Sequence, residues 1–143
     1  MKCNELMKKD VVCVSEMDNV QRVAKTMEEK NVGFIPVCDG EHRAIGTLTD
    51  RDLALRVCAR DLKASATKTA DIMSRDQIVT CREDEDVEVA IKRMGEKKKS
   101  RILVTDARGK HVGVISLSDI AQKQGAKSGE ALQAVSSRET KAA

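Results

Sequence analysis

Strand-like apolar runs and helix-spaced apolar positions alternate along this chain in a fixed order. Residues 11–14 form a short apolar run typical of a strand, and a polar turn follows it. Four apolar residues then recur at the spacing i, i+3, i+4, i+7, which predicts a helix with one buried face. The members of this stripe are Val20, Val23, Ala24 and Met27.

Two further apolar runs, at 34–38 and 44–49, predict a β-hairpin because a polar turn that contains glycine joins them. Pro36 has no backbone N–H and is therefore expected at the edge of a strand or near its end. Helical character returns from Asp50. The predicted order is strand, helix, strand, strand, helix.

The same order occurs a second time. Shifting residues 10–54 by 67 positions aligns them with residues 77–121 without a gap, and 13 of the 45 aligned positions are identical. Because one such unit cannot cover its own apolar face, the two copies are expected to pack on each other with pseudo-two-fold symmetry. The identical pairs include Val20/Val87, Met27/Met94, Ile35/Ile102, Val37/Val104, Asp39/Asp106, Gly46/Gly113 and Asp52/Asp119.

The predicted fold is a mixed α/β (α+β) module. Its boundaries are a first repeat at 1–58, a polar linker at 59–70, a second repeat at 71–122 and a tail at 123–143. Within the tail, Ala131, Leu132 and Val135 are spaced for one turn of helix.

The amino-acid composition argues against two classes of partner, nucleic acids and membranes. The chain has 143 residues, a formal charge of +3, no Trp, no Tyr and one Phe, so it has no aromatic platforms on which bases could stack. No run approaches the roughly 20 apolar residues of a membrane span. Nucleic acid is therefore an unfavoured partner, and no membrane partner is expected.

The five cysteines form no CxxC pair, and the two histidines have no ligand partners close in sequence. An odd number of cysteines at irregular spacing indicates reduced thiols in a cytoplasmic protein, and no metal site is expected. The sequence shows no glycine-rich phosphate loop with lysine, no histidine with an acid partner and no paired carboxylates beyond the helix caps, so the chain is not expected to be an enzyme.

The candidate chemistry lies where each hairpin enters its final helix. The first repeat has Gly46, Thr49 and Asp52 in the order Gly-x-x-Thr-x-x-Asp, and the second has Gly113, Ser116 and Asp119 in the same order. A hydroxyl with an acid three residues later is also an ordinary capping box. A ligand-binding interpretation remains open beside it. A helix N-terminus and a hydroxyl can hold phosphate, and a carboxylate can accept the hydroxyls of a ribose.

The repeat order, the Gly-x-x-Thr/Ser-x-x-Asp ending and the lead-ins at 5–7 and 71–73 resemble a tandem pair of CBS domains (cystathionine β-synthase type), known as a Bateman module. The resemblance covers roughly residues 4–122, and the stretch from Leu48 to Leu53 is similar to small stand-alone bacterial members. It implies a regulatory homodimer that binds adenosyl ligands between repeats: AMP, ADP, ATP or S-adenosylmethionine, with no required cofactor.

The resemblance also implies two ligand clefts, each drawing on both repeats. Asp52 and Asp119 would hold ribose, while Thr49 and Ser116 would meet phosphate. The cleft with the second-repeat acid is expected to contain Ser116, Asp119, Val114, Val12, Val32, Gly33 and Phe34. The cleft with the first-repeat acid is expected to contain Thr49, Asp52, Thr47, Arg51, Ile78, Lys99, Ser100 and Arg101.

The two clefts differ in charge. Residues 32–36 are small and apolar, which suits an adenine edge, whereas the basic run 97–101 occupies the corresponding place in the second repeat. That run supplies charge for a di- or triphosphate or is a solvated helix end, where lysines are favoured by the helix dipole. Arg51 is replaced by Ser118 in the second repeat.

Three hypotheses for function follow. The first is an adenosine-ligand sensor that signals to an unknown downstream protein. The second is a structural or adaptor dimer whose hydroxyl–acid pairs only cap helices, and the third is a weak nucleic-acid binder that uses Lys97–Arg101.

Overall fold

Each repeat forms a three-stranded sheet. The computed structural model describes residues 1–9 and 12–124. In chain order its elements are α1 (Cys3–Leu6), β1 (Val14–Ser15), α2 (Val20–Lys30), β2 (Phe34–Cys38), β3 (Ala44–Thr49), α3 (Asp50–Leu53), a π-helical turn (Ala54–Cys58), a 3₁₀ turn (Ala64–Ala66), α4 (Thr69–Ile72), β4 (Thr80–Arg82), α5 (Val87–Lys97), β5 (Arg101–Thr105), β6 (His111–Ser116) and α6 (Leu117–Gln124).

The two sheets have the same topology. In the first, β1 runs parallel to β2, and β2 pairs antiparallel with β3; in the second, β4, β5 and β6 pair in the same way. The parallel pair needs a crossover, and the amphipathic helix α2 or α5 provides it. The predicted mixed α+β fold with its internal repeat is confirmed. The predicted helical turn at 131–135 lies outside the described residues.

The lead-in segments are exchanged between the repeats. Residues 12–78 form one unit, and residues 1–9 belong with residues 79–124 in the other. Within that second unit, the backbones of Lys8 and Val114 exchange hydrogen bonds of 2.9 and 3.1 Å. Thr47 and Ser74 make the equivalent exchange in the first unit, at 2.9 and 3.0 Å. Each lead-in thus adds a bridge to a hairpin.

The polar segment expected to link the repeats is tied to the first unit. The N–H of Val20 donates to the carbonyl of Thr67 at 2.9 Å, and the N–H and hydroxyl of Thr69 both donate to the carbonyl of Asp18 at 2.9 Å. Thr69 is fully buried. The end of this segment is therefore an ordered part of the fold of residues 12–78.

Each unit has its own aliphatic core beneath its sheet. All four positions of the second helix stripe are buried, but Ala24 in the first stripe is exposed, so the expectation that it faces a core was wrong. Residues 20, 23 and 27 suffice to bury the face of α2. The largest fully buried side chains are Ile35, Leu48, Met94, Ile102, Leu103, Ile115 and Ile120.

Pro36 lies in the middle of the central strand β2, not at an edge or an end as expected. It pairs opposite Thr47, whose backbone groups bond Ser74, so the β3 side needs no N–H from Pro36. On the other side, the parallel pairing starts only at Val37, one residue later. In the second unit, the N–H of Leu103 at the equivalent position donates to Val79 at 3.0 Å. The proline therefore shortens β1 and is tolerated.

Candidate functional site: two capped strand–helix junctions

The first junction joins β3 to α3 through a complete capping box. The N–H of Thr49 donates to Oδ2 of Asp52 at 2.9 Å, and the N–H of Asp52 donates to the Thr49 hydroxyl at 3.1 Å. The other carboxylate oxygen, Oδ1, lies 3.6 Å from Nη2 of Arg56. The hydroxyl and acid thus satisfy two backbone groups, and one acid oxygen faces a cation.

The second junction, between β6 and α6, repeats this arrangement. Oδ2 of Asp119 accepts hydrogen bonds from the N–H and the hydroxyl of Ser116, both at 2.8 Å. The N–H of Asp119 donates to the Ser116 hydroxyl at 3.3 Å, and the Ser118 hydroxyl lies 2.8 Å from it. Oδ1 of Asp119 lies 3.4 Å from Nζ of Lys8, and the Asp119 side chain is only 8% exposed.

The junctions differ in the charge at their helix starts. At the first, the N–H of Asp50 donates to the Gly33 carbonyl, and the N–H of Arg51 donates to the carboxylate of Asp50, both at 2.9 Å. Leu117 stands in place of Asp50 at the second junction, where its N–H donates to Ser100 at 3.0 Å. The first turn of α3 therefore carries two acids, and that of α6 carries one.

Only glycine fits at these two motif positions, because the lead-in segments pack directly against them. A Cβ on Gly46 would lie 2.8 Å from Sδ of Met73, and one on Gly113 would lie 2.6 Å from Sδ of Met7. A methionine side chain lies against each glycine, and this accounts for the glycine in both repeats.

Some of the other predicted residues pair directly with a junction residue of their own unit. Phe34 pairs with Thr49, and Arg101 pairs with Ser116. Thr47 is buried, and Val32, Arg51 and Arg101 are exposed. The remaining seven are partly exposed: Val12, Gly33, Phe34, Ile78, Lys99, Ser100 and Val114. The division of these residues into two clefts that draw on both units stays a prediction.

The basic run 97–101 lies at the C-terminal end of α5. Lys97 is in the last turn, and Lys98 is the left-handed cap, with φ of 55°. The N–H of Lys99 donates back to the Met94 carbonyl at 2.9 Å. Cations at this end of a helix are favoured by its dipole, which supports the solvated helix-end interpretation of the run.

Sequence reasoning missed one cluster. Cys13, Cys38 and His42 have their Sγ and ring nitrogen atoms within 4.8 Å of one another. The spacing alone gives no sign of it, but strand pairing does. Cys13 and Cys38 end up beside each other because β1 and β2 are parallel neighbours, and the hairpin returns His42 toward them. The hydrogen bond between the two thiols lowers the pKa of Cys13 and raises that of Cys38, which burial also raises.

Along the described part of the chain, none of the helices combines the length and the apolarity that crossing a membrane requires.

Comparison with known proteins identifies the repeats. The CBS domain family matches residues 3–58 and again residues 70–125. An uncharacterized protein of Methanopyrus kandleri is 30% identical over 118 residues, which are 82% of this chain and 60% of that protein, so this chain spans less than two thirds of its length. The uncharacterized protein YlbB of Bacillus subtilis is 33% identical over 138 residues, covering 94% of this chain and 91% of YlbB.

Solved structures have the same fold. The CBS domain protein PAE2072 from Pyrobaculum aerophilum, complexed with AMP, matches with a TM-score of 0.76 at 22% identity over 96% of this chain and 99% of its own. The CBS domain pair of protein MJ0100, in complex with 5′-methylthioadenosine and S-adenosyl-L-methionine, matches with a TM-score of 0.75 at 24% identity over 89% and 98%. Hypoxic Response Protein I, with two coordinated zinc ions, matches with a TM-score of 0.76 at 24% identity over 86% and 98%. With its duplicated match, this chain belongs to the CBS domain family.

Proposed function

We propose that this protein is a non-catalytic regulatory module that binds an adenosyl ligand at its strand–helix junctions and signals, as a homodimer, to a partner protein. AMP, ADP, ATP and S-adenosylmethionine are the ligands to test. Two structural relatives that were solved with AMP, and with 5′-methylthioadenosine and S-adenosyl-L-methionine, support this choice of ligand class.

The proposal rests on one observation: the carboxylates of Asp52 and Asp119 make the same contacts in their two units. In each unit, Oδ2 of the acid completes the helix cap, and Oδ1 faces a cation. The cap orients the carboxylate without using both of its oxygens. At Asp119, the facing cation is Lys8, whose side chain is 72% exposed, and such a pair contributes little energy. Ribose hydroxyls can therefore replace it at small cost.

The charge difference between the junctions predicts which one takes a phosphate. Asp50 already occupies the N–H of Arg51 at the first junction and adds a negative charge there. The second junction has the uncharged Leu117 at that position, and Asp119 is the one acid in the first turn of α6. Because anions are favoured at the helix start that carries fewer carboxylates, we place an AMP-like phosphate at Ser116.

We propose that each acid belongs to a ligand cleft that contains the residues predicted for it from the sequence. The cleft of Asp119 then also draws on residues 12 and 32–34, and the cleft of Asp52 on residues 78 and 99–101. Signalling requires a ligand that binds two states of the module with different affinity, typically a coupling of ~1–3 kcal/mol.

The experiment is calorimetric titration of the four ligands into the wild-type protein and two variants, Asp52→Asn and Asp119→Asn. An asparagine oxygen can still accept the capping hydrogen bond, whereas the second charged oxygen is lost. We expect AMP to bind the wild-type protein and to bind Asp119→Asn at least tenfold more weakly.

Asn19→Ala is the matched control, because Oδ1 of Asn19 caps a different helix, α2, by accepting from the Arg22 N–H at 2.8 Å. It is expected to lose about 0.5–2 kcal/mol of stability and no ligand affinity. Equal affinity of the wild-type protein and both junction variants would contradict the proposal.

A second candidate function rests on the capping boxes themselves. Since both hydroxyl–acid pairs satisfy backbone groups of the junctions, a structural adaptor without ligand would have the same arrangement. Absence of binding by all four ligands to the folded wild-type protein would favour it.

A further inference from the structure

The cluster of Cys13, Cys38 and His42 has the donor set and the spacing of a transition-metal site. Sγ of Cys13 lies 3.5 Å from Nδ1 and 3.8 Å from Nε2 of His42. All three donor residues lie in the unit of residues 12–78, within 4.8 Å of one another.

The observed separation agrees with the geometry of a tetrahedral ion. With Zn–S of about 2.3 Å and Zn–N of about 2.0–2.1 Å, two tetrahedral ligands lie ~3.5 Å apart when one is sulfur and one nitrogen, and ~3.8 Å apart when both are sulfur. The distance from Cys13 Sγ to His42 Nδ1 is 3.5 Å. An ion can thus be placed among the donors with little movement.

The second repeat provides an internal control. The positions equivalent to Cys13, Cys38 and His42 are Thr80, Thr105 and Gly109. None of these three residues offers a soft donor, so all three donors occur in one repeat together and are replaced together in the other. The strands of both repeats pair in the same parallel and antiparallel order, so the topology itself does not require the three donors.

The backbone at His42 strengthens this comparison. Its φ is +64°, in the left-handed region, and the equivalent Gly109 has φ of +82°. Glycine is the residue that adopts this conformation without cost, whereas other residues lose about 1–2 kcal/mol there. The turn itself is fixed by Asp39, whose Oδ1 accepts from the N–H groups of Glu41 and Arg43 at 2.9 and 3.0 Å. The second repeat thus has the less strained residue, glycine, at the equivalent turn.

Pro36 contributes to the position of Cys13. Because the proline cannot donate to the first strand, β1 begins at Val14, whereas its counterpart β4 begins at Thr80, the residue equivalent to Cys13. Cys13 therefore lies just outside the parallel ladder and is partly exposed, while Cys38 is buried. An incoming ion can reach the cluster from the Cys13 side.

We propose that Cys13, Cys38 and His42 bind one Zn²⁺ ion per chain through two thiolates and one imidazole nitrogen. Each thiol that coordinates gives up its proton to solvent. Three protein ligands leave a fourth tetrahedral position open to water or another small ligand. Soft sulfur ligands favour zinc over magnesium or calcium.

Cobalt(II) titration of the chelator-treated, reduced wild-type protein under anaerobic conditions tests this site. We expect one equivalent of Co²⁺ to produce sulfur-to-cobalt charge transfer and the intense visible bands of a tetrahedral ion, and Zn²⁺ to abolish both. Cys13→Ser and Cys38→Ser should lose the charge-transfer intensity and bind at least 100-fold more weakly.

His42→Gly is the decisive variant, because it restores the residue that the second repeat uses at this turn. It should fold at least as stably as the wild-type protein without metal, bind Co²⁺ at least tenfold more weakly, and lose the Zn²⁺-dependent rise in Tm. Cys58→Ser removes an exposed thiol of the same unit and should bind as the wild-type protein does.

Three results would overturn the assignment: no tetrahedral cobalt spectrum in the folded wild-type protein, unchanged affinity in His42→Gly, or loss of binding in Cys58→Ser. The assignment is also overturned if the reduced protein takes up no cobalt while peroxide joins Cys13 to Cys38 in a disulfide, as peptide mass spectrometry would show.

Discussion

Nζ of Lys8 lies 3.4 Å from Oδ1 of Asp119, while Oδ2 of the same carboxylate is held by Ser116. The N-terminal segment thus supplies the cation of a junction that lies more than a hundred residues later in the sequence. The two oxygens of this one acid have separate roles, and each can be altered without the other.

Lys8→Ala should leave the helix cap intact and free Oδ1. We expect the free energy of unfolding to fall by less than about 1 kcal/mol, because Lys8 is largely exposed. We expect AMP to bind severalfold more tightly, since its ribose hydroxyls no longer compete with an ammonium. Calorimetry and urea unfolding measure the two effects. Weaker AMP binding would show that Lys8 contacts the ligand instead of competing with it.

Gly113→Ala should destabilise the protein by about 1–3 kcal/mol, because the new methyl group would lie 2.6 Å from Sδ of Met7 and 2.9 Å from the Lys8 carbonyl oxygen. Gly40→Ala is the control, since a Cβ there meets no atom within 4 Å. Urea unfolding of both variants gives the comparison. Equal stability of the two variants would mean that the lead-in segment does not press on the hairpin.

Arg56→Met should lower stability by about 1–3 kcal/mol. The guanidinium donates to the Ile72 carbonyl at 2.7 Å and to the Ser74 hydroxyl at 3.0 Å, and removal leaves a partly buried carbonyl without this donor. Arg60→Met, at an exposed position on the same segment, should change stability by less than about 0.5 kcal/mol. Thermal unfolding of the two variants tests this, and similar Tm values for both would refute it.

The pair of Glu85 and Arg93 predicts a pH dependence. Two hydrogen bonds of 2.8 and 3.0 Å from Arg93 hold the pKa of Glu85 below its usual range. A carboxyl with a lowered folded-state pKa stabilises the fold above its unfolded pKa of about 4.3, and this contribution is lost as the pH falls through the lower folded-state pKa.

Arg93→Met should therefore cost about 1 kcal/mol at pH 7 and progressively less as the pH falls below about 4. The control is Lys92→Met, whose ammonium lies 4.0 Å from Glu96 on the solvent side. Urea midpoints measured between pH 7 and pH 3 give the result. A constant difference between Arg93→Met and the wild-type protein at every pH would contradict the assignment.

The repeat order was predictable because it depends on local periodicity. The bounds of β2, β3 and β6 are those of the apolar runs, and the family was identifiable from the junction motif. The prediction that Ala24 faces the core was wrong. A stripe of apolar residues defines one face of a helix, but the elements packed against that face decide how much of it is covered. The predicted position of Pro36 was wrong because a missing N–H matters only where a neighbouring strand would accept from it. The β3 side needs no such bond, and the β1 ladder begins one residue later.

Other features depend on contacts that no local pattern records. The exchanged lead-in joins Lys8 to Val114, and this close approach explains why residue 113 is a glycine. The cysteine and histidine cluster joins Cys13 to Cys38 and His42, which lie 25 and 29 positions later, so it became visible only once strand register was known. Sequence periodicity predicts elements, and tertiary pairing decides which side chains meet.

The exchange of the lead-in segments sets the order in which the two units can fold during synthesis. All described residues of the unit at 12–78 are synthesised before β4, so this unit can fold before the other unit is complete. Residues 1–9 emerge first, yet their partners at Glu85, Val87 and Val114 are synthesised much later. The segment at 1–9 can therefore take its place only after β6 has been synthesised, so the unit that contains it is completed after the unit at 12–78.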